Sequence, residues 1–508
     1  MTRSAPATPG TVPEALAIQA RLQPDAIAFV EVGQDGADRV LKYAETHDRI
    51  ENLAARLVGA GVKGGDRVAV RLPKSVDALL LFFAVLRVGA IYVPINPDFT
   101  DREAGVLIED SDPVLAIDNS EGGLPLSSGK VRQMQFGTGS DTDLCLQPQG
   151  ALPEGPSAHD GAVMLFTSGT TGRPKGAPLT HANLLSNMLS LAEVWKITPH
   201  DRLLHVLPVF HAHGLFLGIV MPLAMGASVR VMAKFDAAET IRHLPGCTIF
   251  MAVPAIYTRL LDNPNFTPAV CGSLRLATSG SAPLSPEVFE ALRTRMGLRV
   301  VERYGTTETS ILATNPIDGG ARVGSVGRPL SCVEMQIVGE DSTPLGQGEV
   351  GRVQVRGPSV LTSYWKRPDT SGDWTADGWF DTGDMGQMDE DGFLWLVGRK
   401  KDLIISGGFN VYPREIEIEL ETLDGVAEAV VFGVPHPDFG EGVVAAVRSE
   451  PGRKLDVSTL QSALGDGLAK YKRPKQIVVL DDFPRNQLGK VLKGDLRQTY
   501  ADAFSVAR

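Results

Sequence analysis

Ten consecutive residues, Thr167-Ser168-Gly169-Thr170-Thr171-Gly172-Arg173-Pro174-Lys175-Gly176, carry three glycines, four hydroxyl side chains and two cations. Glycine lets a backbone curl closely about an anion, hydroxyls donate to phosphate oxygens, and Lys175 adds positive charge. A buried-strand pattern, Gly161 to Phe166, runs into the stretch, and an amphipathic helix pattern, Thr180 to Trp195, follows it. A loop of this kind in this place is suited to hold a polyphosphate. It is not a Walker loop, since G-x-x-x-x-G-K-[ST] is absent. Because Gly/Ser/Thr turns without ligands are common between elements, the loop has to be weighed with the motifs downstream.

Four downstream segments add chemistry. Glu302-Arg303-Tyr304-Gly305-Thr306-Thr307-Glu308-Thr309 follows a strand pattern, Leu298 to Val301, and open α/β sheets bind ligands at that edge. A flat aromatic suits adenine, and Glu308 suits Mg²⁺, a hard cation that prefers oxygen ligands. Phe380-Asp381-Thr382-Gly383-Asp384 offers a carboxylate able to accept two hydroxyl hydrogen bonds. Gly407-Gly408-Phe409 lets a backbone pass close to a thin ligand. Lys490, in Pro484 to Lys490, is a cation near the end of the chain. Taken singly, the last three read as a plain turn, a tight turn and a solvated lysine.

Taken together over roughly residues 15 to 500, these segments resemble the adenylate-forming superfamily of acyl-CoA synthetases, luciferases and peptide-synthetase adenylation domains. The resemblance implies ATP, Mg²⁺ and coenzyme A as reactants. It makes Thr167, Lys175, Glu308 and Lys490 the catalytic set, with Glu308 on the metal. It gives ATP or AMP to Thr167 through Gly172, Lys175, Ser281, Ala282, Glu302 through Thr307, Asp384 (the ribose clamp) and Arg399. Lys401 becomes the hinge of a rotating small domain, and Gly407, Gly408 and Phe409 line the coenzyme A tunnel. Within the superfamily the chain is most similar to malonyl-CoA synthetases, through Leu207 to Phe216, Lys234 to Asp236, Val253 to Leu261, Ser279 to Leu284 and Gly407 to Pro413. The acyl pocket is then expected at His211, Arg259, Ser279, Gly280 and Thr306. Arg259 is expected to hold the second carboxylate of malonate, because an arginine can bind a carboxylate bidentately; Arg275 is its rival. The third position of the Tyr-Gly-x-Thr-Glu motif is Thr306, where that group has methionine, so a wider pocket taking methylmalonate is a second expectation. Other short or aromatic acids, and a carrier-protein thiol as acceptor, stay open.

These residues need a scaffold that presents strand ends to one site. Helix patterns at Tyr43 to Val58, Ser75 to Val88, Gly214 to Met225 and Pro286 to Met296 alternate with strand patterns at Arg67 to Leu72, Leu203 to Leu207, Ser228 to Met232 and Leu274 to Thr278. The alternation predicts an α/β fold with layered, mostly parallel sheets. Period-two patterning from Gly327 to Gly357 predicts a small antiparallel β region. At 508 residues the chain exceeds one hydrophobic core. A large domain, 1–400, and a small mobile α+β domain, 401–508, are expected.

The net charge of -11 argues against nucleic acid as a partner and leaves small molecules. Cys145, Cys247, Cys271 and Cys332 form no C-x-x-C pair and fit a reducing, cytoplasmic setting. No apolar run approaches the ~20 residues of a membrane span. Monomer and homodimer are equally compatible with the composition.

Overall fold

The computed structural model describes residues 9–504 apart from 34–36, 120–123, 125–130, 137–143, 145–146, 168–173, 283, 408 and 486–489. Two large sheets form the bulk of the chain. In the first, six parallel strands run side by side in the order Val300–Thr306, Leu276–Ser279, Ile249–Ala252, Arg202–His205, Ser228–Val231 and Ile27–Glu31. Antiparallel strands close it: Ser310–Thr314 and Arg328–Pro329 on one edge, Arg39–Lys42 on the other. The second sheet orders Arg132–Met134, Leu115–Asp118, Arg67–Arg71, Ile91–Pro94 and Gly161–Thr167 in parallel, then Lys175–Thr180 antiparallel. The α/β architecture expected from the alternation is therefore present. Its crossover helices bury apolar faces between the sheets. The helix Val76–Arg87 is buried from Val76 through Leu86, and the Ser75 hydroxyl accepts the Ala78 N–H at its start.

A four-stranded antiparallel sheet follows, in the order Glu334–Val338, Gly351–Arg356, Phe380–Met388 and Leu394–Arg399. A five-stranded sheet then carries Ile404–Ser406, Phe409–Val411, Val426–His436, Gly440–Ser449 and Gln476–Val479, with helices Pro413–Glu421 and Val457–Gly467. One large hydrophobic cluster runs from Val12 to Leu394, while two others contain only residues from Ile404 to Leu496. Among the described residues, no core cluster spans Lys400–Asp402, a short 3₁₀ turn.

Three local elements differ from the sequence pattern. The phosphate-loop candidate joins two antiparallel strands, with Thr167 opposite Lys175, instead of passing from strand to helix. The helix pattern is real but starts only at His181, where Thr180 and Asn183 form a capping box. Gly214 to Met225 is not a plain α-helix: His213–Val220 is a π-helix, continued by a single α-helical segment at Met221–Ala224. The Glu302 to Thr309 motif does not begin after its strand. The strand runs on through Thr306 and turns into Ser310–Thr314, and a Cβ at Gly305 would lie 1.9 Å from the Ser310 carbonyl oxygen. Only glycine fits there.

Candidate functional site

The carboxyl ends of the parallel strands Val300–Thr306, Leu276–Ser279 and Arg202–His205 open on one face. Ser279, Gly280, Ser281 and Ala282 form the turn after the middle strand, with Ser281 at φ 70°. The Glu302 carboxylate accepts from the backbone N–H groups of Leu284 and Gly324, and burial pushes its pKa up to about 7. That side chain ties the turn to the segment at Gly324.

The Arg303 guanidinium lies on this turn. A Cβ on Gly280 would be 2.6 Å from its Cζ, so any larger residue there would displace the guanidinium. Arg303 is buried, its pKa is lowered to about 10 by that burial, and its Nε and Nη2 have no hydrogen-bond partner among the described residues. Ser279 Oγ and His213 Nε2 are likewise buried without partners. His213 Nδ1 lies 3.4 Å from Ser281 Oγ, and the neighbouring Arg303 charge adds to burial in holding the imidazole neutral. His211 packs at a tilt against Phe210 with ring centroids 4.5 Å apart, and burial lowers its pKa to about 4. Buried polar atoms are almost always hydrogen-bonded, so this convergence marks where a polar ligand group belongs.

Arg259 is not part of it. It is exposed with Ala255, Thr258 and Asp262 on the outer face of the helix Pro254–Leu261. The opposite face carries Tyr257, whose hydroxyl donates to the Thr278 carbonyl at 3.0 Å. Arg275 is committed elsewhere, clamping Asp201 at 2.5 Å and the carbonyls of Trp195 and Lys196. Thr306 Oγ1 lies 3.1 Å from Thr309 Oγ1.

A second cluster surrounds the phosphate-loop strands. Lys175 Nζ sits 4.8 Å from the Tyr364 ring centroid and 3.5 Å from Asp373 Oδ2. The Tyr364 hydroxyl donates to Glu308 Oε1 at 2.8 Å. Thr167 and Lys175 flank the loop tip, whereas Ser168, Gly169, Thr170, Thr171 and Gly172 lie outside the described residues. Tyr364 and Asp373 were invisible to motif reading, because nothing in the spacing relates them to Glu308.

A third cluster gathers the late motifs. Asp384 is buried, accepts from Tyr304 Oη at 2.5 Å, and pairs through Oδ1 with Arg399 Nε at 3.0 Å. Burial raises its pKa, while Arg399, Tyr304 and Lys490 oppose the rise. Burial, then the neighbouring Arg399 and Lys401 charges, lowers the pKa of Lys490. The small domain thus presents Lys490 to the Asp384–Arg399 pair of the strands Phe380–Met388 and Leu394–Arg399. Gly407 and Phe409 lie off this cluster: Gly407 takes φ 60°, and the exposed Phe409 stacks on Tyr471 at 4.7 Å. Gly408 falls outside the described residues.

The AMP-binding enzyme family matches residues 16–365, and the AMP-binding enzyme C-terminal domain matches residues 415–490. The chain belongs to the AMP-binding enzyme family. Among curated relatives, an oxalate–CoA ligase of Arabidopsis thaliana is 35% identical over 91% of this chain and 94% of its own length. An indoleacetate–CoA ligase of Aromatoleum aromaticum is 35% identical over the same shares, 91% and 94%. Among solved structures, ATP-bound MatB from Rhodopseudomonas palustris superposes with a TM-score of 0.90 at 38% identity, over 96% of this chain and 100% of that one. With these relatives, this AMP-binding enzyme is an acid–thiol ligase. Among the described residues, no helix is long and apolar enough to cross a membrane.

Proposed function

We propose that this ligase activates a short dicarboxylate with ATP and passes it to coenzyme A, with malonate first and methylmalonate second among its acids. The observation that carries this reading is the buried Arg303 guanidinium with two unpaired donor atoms beside Ser279 Oγ and His213 Nε2. A monocarboxylate would leave that charge without a counterpart, and burying an unpaired charge is costly. The distal carboxylate of a dicarboxylate supplies the missing acceptor at charge-assisted strength. Arg303 thereby takes the part that the sequence pattern gave to Arg259. MatB, a malonyl-CoA synthetase, is among the structural neighbours. The relatives named for oxalate and indoleacetate mark how widely acids vary in this family.

In the first half-reaction a carboxylate oxygen of the acid attacks the α-phosphorus of ATP, and pyrophosphate leaves. Lys175 faces the phosphates beside the 168–173 loop, and Lys490 faces the α-phosphate and the attacking carboxylate. Two cations there offset the charge that builds as the oxygens converge, and positioning with electrostatics carries such transfers. Asp384 accepts from the ribose hydroxyls, with Arg399 fixing its carboxylate. Glu308 fits Mg²⁺: it is a single carboxylate oriented by Tyr364, and Mg²⁺ takes one or two carboxylates and completes its shell with phosphate oxygens and water. When bound, the ion supplies neutralisation of phosphate charge.

In the second half-reaction the thiol of coenzyme A attacks the acyl carbon and loses its proton, and AMP leaves with the bonding pair. Rotation of the small domain about Lys401 withdraws Lys490 and brings Gly407, Gly408 and Phe409 to the acyl group. The exposed position of Phe409 in the present orientation is consistent with that sequence of events.

Pyrophosphate release over malonate, methylmalonate, oxalate, acetate and indoleacetate, with coenzyme A or a phosphopantetheinyl carrier protein, tests the reading. The expected result is the highest kcat/KM with malonate or methylmalonate and thioester formation on coenzyme A. Preference for acetate or indoleacetate over every dicarboxylate would overturn it.

A further inference from the structure

Lys74 is a half-buried cation outside the three clusters above. Lys74 sits in the turn between the strand Arg67–Arg71 of the six-stranded sheet and the helix Val76–Arg87. Its Nζ donates to the carbonyl of Leu207 at 2.9 Å and lies 3.4 Å from His205 Nδ1. His205 Nε2 lies 2.9 Å from the carbonyl oxygen of Gly214. A carbonyl can only accept, so Nε2 carries the imidazole proton. Nδ1 is then a bare acceptor aimed at the Lys74 ammonium. The direction of the chain is fixed: Lys74 donates to His205, and His205 donates to Gly214.

These two side chains grip both ends of one segment. Leu207 opens it and Gly214 ends it, and His211 and His213 lie between. Gly214 also falls in the first turn of the π-helix His213–Val220, an uncommon form that recurs at functional sites. The packing is tight around the same groups. A Cβ on Gly218 would lie 2.5 Å from His205 Cδ2, and one on Gly214 would lie 1.9 Å from the Pro208 carbonyl oxygen. The imidazole is closely enclosed. Burial holds both groups far from their ordinary titration, Lys74 down to about 7 and His205 down to about 3. A half-buried ammonium with no carboxylate beside it among the described residues is costly to keep. An apolar side chain would pack there at lower cost, so its donors matter.

We infer that Lys74 and His205 are positioning residues for the acid, holding the segment 207–214 so that His211 and His213 form the wall opposite Arg303. Neither touches the reacting atoms. They act by fixing the backbone between two sheets, one pinned through Lys74 and the other through His205 at the end of the strand Arg202–His205. The inference rests on the acid-ligase reading above and adds residues to its acyl pocket.

The test is steady-state pyrophosphate release with the full-length chain, measuring KM for the acid and KM for ATP separately. It uses whichever acid the wild-type protein activates best, so a wrong acid in the proposed function is seen first, in the wild type alone. For Lys74→Met the expected result is a KM for the acid raised roughly tenfold or more, with KM for ATP within about twofold. His205→Gln, which keeps a donor and an acceptor, is expected to stay near wild type, while His205→Leu matches Lys74→Met. The double variant Lys74→Met/His205→Leu is expected to be no worse than either single one, as for residues of one network. A merely structural pair would lower the melting temperature and the active fraction without separating the two KM values. That outcome, or an unchanged KM for the acid in Lys74→Met, overturns the inference. Should Lys74→Met fail to fold, the contrast between His205→Gln and His205→Leu decides it in the same way.

Discussion

At the scale of single residues, the site turns on which arginine is buried. Arg259 and Arg303 are both plausible carboxylate ligands by type, but Arg259 points to solvent and Arg303 sits unpaired on Gly280. A lost charge-assisted hydrogen bond costs about 1.5–3 kcal/mol, or roughly tenfold to a hundredfold in kcat/KM. Arg303→Met should therefore cut kcat/KM for malonate by up to about a hundredfold while affecting acetate far less. Arg259→Ala should leave malonate use within about twofold, as for most surface substitutions. Pyrophosphate release with both acids checks the pair, and a large malonate-specific loss in Arg259→Ala would restore it to the pocket. Lys490→Ala should abolish adenylate formation yet spare thioester formation from supplied acyl-adenylate. Equal loss of both half-reactions would remove the moving-lysine mechanism. The lysine, the glutamate and the aspartate of these motifs were legible because their neighbours in sequence repeat a recognisable pattern. Tyr364 and Asp373 were not, since they reach Glu308 and Lys175 only through the tertiary fold.

At the scale of elements, caps and strand ends decide the geometry. Gly280 has no φ constraint in the structure, and its need is steric: a Cβ would press on the Arg303 guanidinium. Gly280→Ala should raise KM for the acid about tenfold, within the usual ~1–3 kcal/mol of overpacking. KM for ATP should barely move, and a parallel rise in both would place the glycine elsewhere in the mechanism. The helix His181–Val194 offers a pH readout. His181 Nδ1 accepts the Val12 N–H at 3.3 Å, docking the N-terminal helix Val12–Leu22, and burial lowers its pKa to about 4 from 6.5. Between those two values the unfolded chain binds more protons than the folded one, so stability falls as pH falls. The advantage of wild type over His181→Asn should shrink by up to about 1.4 kcal/mol per pH unit across that window. Urea unfolding at several pH values measures it, and a pH-independent difference would exclude the titration. Helix and strand positions were largely legible, because apolar spacing follows burial. The π-helix was not: its apolar pattern also fits an α-helix, and the close approaches of Gly214 to Pro208 and of Gly218 to His205 are visible only in the fold.

At the scale of the whole molecule, two bodies with separate cores meet at the 3₁₀ turn Lys400–Asp402. Separate cores allow rotation, because little apolar surface has to be exposed to turn one body against the other. Proline fixes φ. Lys401→Pro should therefore leave the adenylate half-reaction near wild type and slow the thioester half-reaction by ~10-fold or more. Single-turnover assays of each half-reaction separate the two, and equal effects on both would move the hinge away from Lys401.

The sequence by itself determined the family, the α/β class and the chemistry common to all its members. Those depend on short contiguous runs, where backbone shape and phosphate-binding groups are set by near neighbours. Where the candidate acyl pocket lies was decided only by the tertiary structure. The candidate pocket is assembled from strand ends 27 to 101 residues apart, those of Arg202–His205, Leu276–Ser279 and Val300–Thr306, and Lys74 reaches the Leu207 carbonyl beside it from another sheet. Whether an arginine faces the substrate or the solvent depends on which side of an element is buried, and burial is a property of the packed molecule.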